Sequence, residues 1–123
     1  MTGVLYSVSV TLPEQAMQRE FVAWLTQGHV QAVRRGGAIR ATIVTLDEPA
    51  MSPRVIIHYE FPDRPAFDRY LREVAPALRE EGRRRFGPER GVEMTRTVGT
   101  IQFDSGDVHS ASSTAFPQVR EHP

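Results

Sequence analysis

The sequence predicts a single α+β domain with the element order β-α-β-β-α-β. Four segments alternate apolar and polar residues or run in β-branched ones, and two segments repeat with a helical period. The 123 residues suit one domain and leave no room for two ordinary ones. A chain of this size buries a core without disulfides or metal. Its 40% hydrophobic and 24% charged residues are an ordinary globular balance.

Val4 to Leu12 opens the pattern. Val4, Tyr6, Val8, Val10 and Leu12 fall on one face, and Leu5, Ser7, Ser9 and Thr11 on the other, as in a half-buried strand. Thr11-Leu12-Pro13-Glu14 then reads as a helix start: Thr11 caps, Glu14 completes a capping box, and Pro13 sits in the first turn. Met17, Phe21, Trp24, Leu25 and Gly28 form one helical stripe. Gly28 is expected to weaken or bend this helix, His29 to Arg35 to add a further turn or two, and Gly36-Gly37 to end it.

Ala38 to Leu46 is the second strand, with Ile39, Ala41 and Ile43 opposite Arg40, Thr42 and Val44. A loop over 47–53 joins it to the third, Arg54 to Phe61, as a hairpin. Asp63 caps the second helix, with Pro65 in its first turn. Phe67, Tyr70, Leu71, Val74, Ala75 and Leu78 give the clearest periodicity in the chain, and Pro76 predicts a kink or break near Val74–Ala75. After the Gly87-Pro88 turn, Gly91 to Phe103 reads as the last strand. The domain is thus expected over 1–103, and the polar stretch 104–123 as a flexible C-terminal tail. Two βαβ halves of this kind make a ferredoxin-like fold, a four-stranded antiparallel sheet with both helices on one face.

Composition narrows the function classes. Lys+Arg and Asp+Glu both number 15, which argues against a dedicated nucleic-acid binder. Exposed aromatics for base stacking on the central strands are missing too. Every basic residue is Arg and none is Lys. A GC-rich genome explains that blandly; the sharper reading is that some guanidinium groups hold an anion bidentately. The chain has no Cys, so a disulfide framework, a thiolate metal site and a Cys nucleophile are excluded. No stretch approaches the roughly 20 apolar residues of a membrane span, and the N-terminus does not read as a signal peptide, so a cytoplasmic location and no membrane partner are expected. His29, His58, His109 and His122 show no metal-ligand spacing. Neither a metal nor a cofactor is expected.

Trp24-Leu25…His29-Val30, Tyr59-Glu60-Phe61, and Tyr70-Leu71…Ala75-Pro76-Ala77-Leu78-Arg79…Gly82…Arg85-Phe86 resemble an uncharacterised bacterial family, domain of unknown function 4286, over roughly residues 3 to 100. The run from Ala75 to Phe86 is its most specific piece. The resemblance implies a ferredoxin-like fold of the dimeric α+β barrel kind. It implies no established activity and no catalytic residues. The glycine at position 28, before His29, departs from the family pattern.

The sheet face away from the helices would carry Leu5, Ser7 and Ser9, Arg40, Thr42 and Val44, Ile56, His58 and Glu60, and Thr95, Thr97 and Ile101. It is too apolar for water and too polar for a dry core. A homodimer pairing two such faces would enclose a partly polar cavity, the usual kind of ligand site. Arg40, His58 and Glu60 are the ligand-binding candidates there: His58 as a general base, Arg40 holding an anionic or enolate oxygen. The bland alternative is a solvated or interfacial strand face. His29 is the fourth candidate, at a cavity rim, against an ordinary helix-terminal role. Trp24 reads as core packing. Arg83-Arg84-Arg85, with Arg79 and Arg90, reads as a solvated helix end. No catalytic residue is assigned. The leading expectation is a small-ligand-binding or accessory homodimer, with no decision on whether it is an enzyme. The alternative is a cofactor-independent enzyme of oxygenase or isomerase type, with Arg40 and His58 converging in a closed pocket.

Overall fold

A computed structural model of the chain describes residues 2–49 and 51–106. The tail expected over 104–123 lies almost wholly outside them. Strands β1 (Val4–Thr11), β2 (Arg40–Thr45), β3 (Arg54–Phe61) and β4 (Glu93–Thr100) form one sheet in the order β2-β3-β1-β4. Every neighbouring pair is antiparallel. Helices α1 (Gln15–Trp24) and α2 (Val30–Arg35) lie between β1 and β2, and α3 (Arg64–Glu73) and α4 (Ala75–Arg85) between β3 and β4. This is the ferredoxin-like βαββαβ arrangement, and within one chain the sheet stays open rather than closing into a barrel.

Alternation decides which face the helices cover. Val4, Tyr6, Val8 and Val10 of β1 and Val55, Ile57, Tyr59 and Phe61 of β3 are all buried. Register sets Tyr6 opposite Tyr59 and Val8 opposite Ile57, so both central strands present one apolar face to Phe21, Leu25, Val33, Phe67 and Tyr70 of the helices.

Local details refine the expected boundaries. Helix α1 begins later than Thr11: β1 runs through Thr11, and the buried Leu12 donates its N–H to the Pro53 carbonyl at 2.9 Å. Glu14 becomes the residue before the helix and makes no side-chain cap bond, so the expected Thr11–Glu14 capping box does not form. Asp63 does cap, accepting from the Ala66 N–H at 2.9 Å, with Pro65 in the first turn. The Pro76 break falls at Val74, whose φ of −120° separates α3 from α4. β2 and β4 are each shorter at both ends than the alternation suggested, since β4 pairs only along the length of β1.

Gly28 does more than weaken a helix. The helix kinks between Leu25 and His29, with Gln27 out of helical geometry and Gly28 at φ +148°. A side chain is strained at that φ, so glycine allows the kink. Here the kink sets His29 beside the Trp24 ring, with centroids 4.3 Å apart and planes 28° from parallel.

Candidate functional site

Between the sheet and the helices lies a cavity of about 300 Å³. Its floor is the helix-side face of β1, β3 and β4, including Tyr6, Tyr59 and Arg96; its walls include Trp24, His29 and Phe86. Gly82 on α4 also lines it, and a Cβ there would meet the Trp24 ring at 3.4 Å. The glycine therefore leaves open space that a larger side chain would fill. Leu78, Gly82 and Phe86 line the cavity together because they are spaced four residues apart on one helix face. Trp24 and His29 also border a second hollow of about 600 Å³ with a more polar lining, shared with Glu81 and Arg85.

The floor is aromatic. Tyr6 stacks on Tyr59 with centroids 5.8 Å apart, and packs against Phe67 at 5.3 Å and Tyr70 at 6.1 Å. Burial, reinforced by neighbouring phenols, raises the Tyr59 pKa above the usual tyrosine range and pushes that of Tyr70 up to about 12. Both are neutral phenols at physiological pH. The Tyr6 hydroxyl oxygen accepts from two guanidinium groups, Nη2 of Arg79 and Nε of Arg96, both at 3.1 Å.

His29, expected at the rim of a cavity between two open sheet faces, instead lines this helix-side cavity, and it is the one sequence candidate that does so. Burial lowers its pKa; Glu81 opposes that shift and Arg96 adds to it. Its Nδ1 is buried with no partner among the described residues. Trp24 is half-buried cavity wall as well as packing, stacked on Phe21 at 5.9 Å and tilted against Phe86 at 5.4 Å.

The other three candidates, Arg40, His58 and Glu60, lie on the opposite, open face. Arg40 pairs with Glu60 at 3.7 Å, and His58 Nδ1 bonds the Ser7 hydroxyl at 2.8 Å. Arg40 and His58 share no hydrogen bond, and Arg40 remains largely exposed. The convergence expected of an Arg40–His58 catalytic pair is therefore not found within one chain. On the same face Arg54 bonds the Ser9 hydroxyl at 2.9 Å.

Tyr6, Arg79 and Arg96 were not singled out in the sequence. Their signal was present but weak. Tyr6 is a polar-tipped residue on the apolar face of β1. Arg96 alternates with Met94 and Val98 on the helix side of β4, since Val8 lies opposite Arg96. Arg79 sits inside an arginine-rich stretch whose other members behave as surface: Arg83 pairs with Glu80 at 2.7 Å and Arg90 with Glu20 at 3.3 Å. Among the described residues no three His, Asp or Glu side chains gather to hold a metal ion, and no helix is long and apolar enough to cross a membrane.

An open four-stranded antiparallel sheet with helices on one face defines the class of ferredoxin-like α+β proteins, and solved structures of that class superpose on this chain. A dimeric ferredoxin-like protein from an uncultured marine organism has a TM-score of 0.62 at 13% identity, covering 85% of this chain and 99% of its own. A Streptomyces coelicolor monooxygenase in complex with nanaomycin D has a TM-score of 0.64 at 16% identity, covering 87% and 94%. SnoaB, a cofactor-independent oxygenase from Streptomyces nogalater, has a TM-score of 0.61 at 16% identity, covering 85% and 98%. At these identities the likeness is one of fold. No curated protein matches the sequence. The family described as Domain of unknown function (DUF4286) matches residues 3–98, and the chain belongs to that family.

Proposed function

We propose that this domain binds a small, flat organic molecule in the cavity between sheet and helices. The observation that carries this reading is the cavity itself: about 300 Å³, walled by aromatic rings, with a few polar groups at its edge. That is the usual make-up of a small-molecule site. Trp24 is the single tryptophan and lines the cavity, so its fluorescence reports occupancy. Titration with 2-naphthamide is expected to quench it saturably. Gly82→Leu, which fills the space beside the Trp24 ring, is expected to weaken that binding more than tenfold while leaving far-UV circular dichroism unchanged. Equal binding by the variant would move the site elsewhere.

The open face supports a second copy of the chain as partner. Leu5 and Ile56 lie there only half-buried and Val44 is exposed, and dimeric ferredoxin-like proteins share the fold. Arg40, His58 and Glu60 then serve the dimer interface, or a second ligand site between the two sheets. Sedimentation at micromolar concentration is expected to give a dimer that Val44→Arg dissociates.

A second reading, a cofactor-independent oxygenase or isomerase, draws support from the activities of SnoaB and the Streptomyces coelicolor monooxygenase and from the buried, unpartnered Nδ1 of His29. A neutral imidazole in a cavity wall is placed to take a proton from a bound molecule. Deuterium exchange at an acidic C–H of a bound hydroxylated aromatic, abolished by His29→Phe, tests it.

A further inference from the structure

Resting on the cavity reading above, we propose that the natural ligand is an acid, and that Arg79, Arg96 and the Tyr6 hydroxyl form the site for its carboxylate or equally anionic oxygen. The argument is one of unmatched donors. Arg79 and Arg96 come from different elements, α4 and β4, and converge on the Tyr6 oxygen at 3.1 Å each. Neither has a carboxylate within salt-bridge distance among the described residues, whereas Arg83, the third arginine lining the cavity, is neutralised by Glu80. Two cations therefore share one phenol as their common polar partner at the cavity, although the chain as a whole carries no net charge.

The phenol is itself half of the site. A tyrosine oxygen has two lone pairs and one proton to give. Both guanidinium groups use the lone pairs, and no acceptor among the described residues takes the proton. Tyr6 is 2% exposed, so its ring is fixed by the aromatic floor, and the Arg79 guanidinium lies 6.0 Å from the ring centroid. Both arginines are exposed residues that line the cavity, so neither is a buried unpaired charge. The result is three donor groups at one point, two guanidinium groups and a phenol O–H, with no negatively charged acceptor among the described residues. An oxygen bearing negative charge completes it, and charge-assisted bonds of this kind are stronger than neutral ones. His29, kept neutral by burial, adds no competing cation and leaves the aromatic body of the ligand to the Trp24 wall.

The test compares naphthalene-2-carboxylate with 2-naphthamide, which has the same rings and no charge, by calorimetry and Trp24 fluorescence at low salt. The wild-type chain is expected to bind the carboxylate about tenfold or more tighter than the amide, with the preference shrinking as salt rises. Arg79→Met and Arg96→Met, which keep the apolar stems, are each expected to weaken the carboxylate about fivefold and leave the amide within about twofold. Equal wild-type affinity for the two probes overturns the anion site while the cavity stands. A preference that survives both substitutions also overturns it, by placing the charge recognition elsewhere. Binding of neither probe overturns the cavity reading, and the anion site with it. The wild-type comparison decides the matter even where a variant folds poorly.

Discussion

The two faces of one sheet show how the same alternation yields two kinds of surface. On the helix side, every second residue of β1 and β3 is buried, and the polar tips that remain are pulled to one place: two arginines on one tyrosine. On the open side, polar groups are satisfied pairwise across neighbouring strands, Ser7 with His58, Ser9 with Arg54, and Arg40 with Glu60. The open side thus pairs most of these side chains within one chain, with the buried Arg54 Nε left over. The helix side gathers two guanidinium groups on one phenol beside a cavity, with no carboxylate paired to either among the described residues. Unmatched polarity beside a cavity points to a ligand more strongly than a row of matched pairs does.

The largest test of this contrast is stability. Phe61 is fully buried under the helices, edge-on to Phe67 at 5.2 Å. Phe61→Ala is expected to cost about 3–5 kcal/mol in urea unfolding. A loss near 1 kcal/mol would mean the helix layer packs far more loosely than described.

The next effect is alkaline. The folded pKa of Tyr70 lies near 12 against 10 for the free side chain. Between those values the unfolded chain has lost a proton that the folded one keeps, so stability falls as pH rises, by roughly 1.4 kcal/mol per pH unit. Unfolding midpoints at pH 9 and 11 should show the decline, and Tyr70→Phe should lessen it. An unchanged slope would place the titration elsewhere.

The smallest effects belong to the open face. The Arg40–Glu60 pair is solvent-screened, and the Ser7–His58 bond is half-buried. Arg40→Ala and His58→Ala are each expected to cost less than about 1 kcal/mol in the monomer. A larger loss would show that this face is more deeply covered than one chain makes it.

Much of the fold was legible because it rests on short-range rules. Alternation in Val4–Leu12 and Arg54–Phe61, the Asp63 cap, the Pro76 break and the Gly36-Gly37 stop each depend on residues within a turn or two. The capping box at Thr11 failed because Thr11 is still paired in β1 and a long-range bond, Leu12 to Pro53, holds the chain against the third strand's start, so the helix begins only at Gln15. His29 was found through its position after the Trp24 helix. The open-face candidates Arg40, His58 and Glu60 were named because they are the polar members of alternating strands.

By itself, then, the sequence determined the βαββαβ order, the buried face of each central strand and the family. Only the tertiary structure decided which polar residues share a site. Tyr6 and Arg79 are 73 positions apart, and Tyr6 and Arg96 are 90 apart. No periodicity spans such distances; strand order and helix packing bring these groups together. Arg79 looks like its arginine neighbours in sequence and differs from them only in what it meets in space.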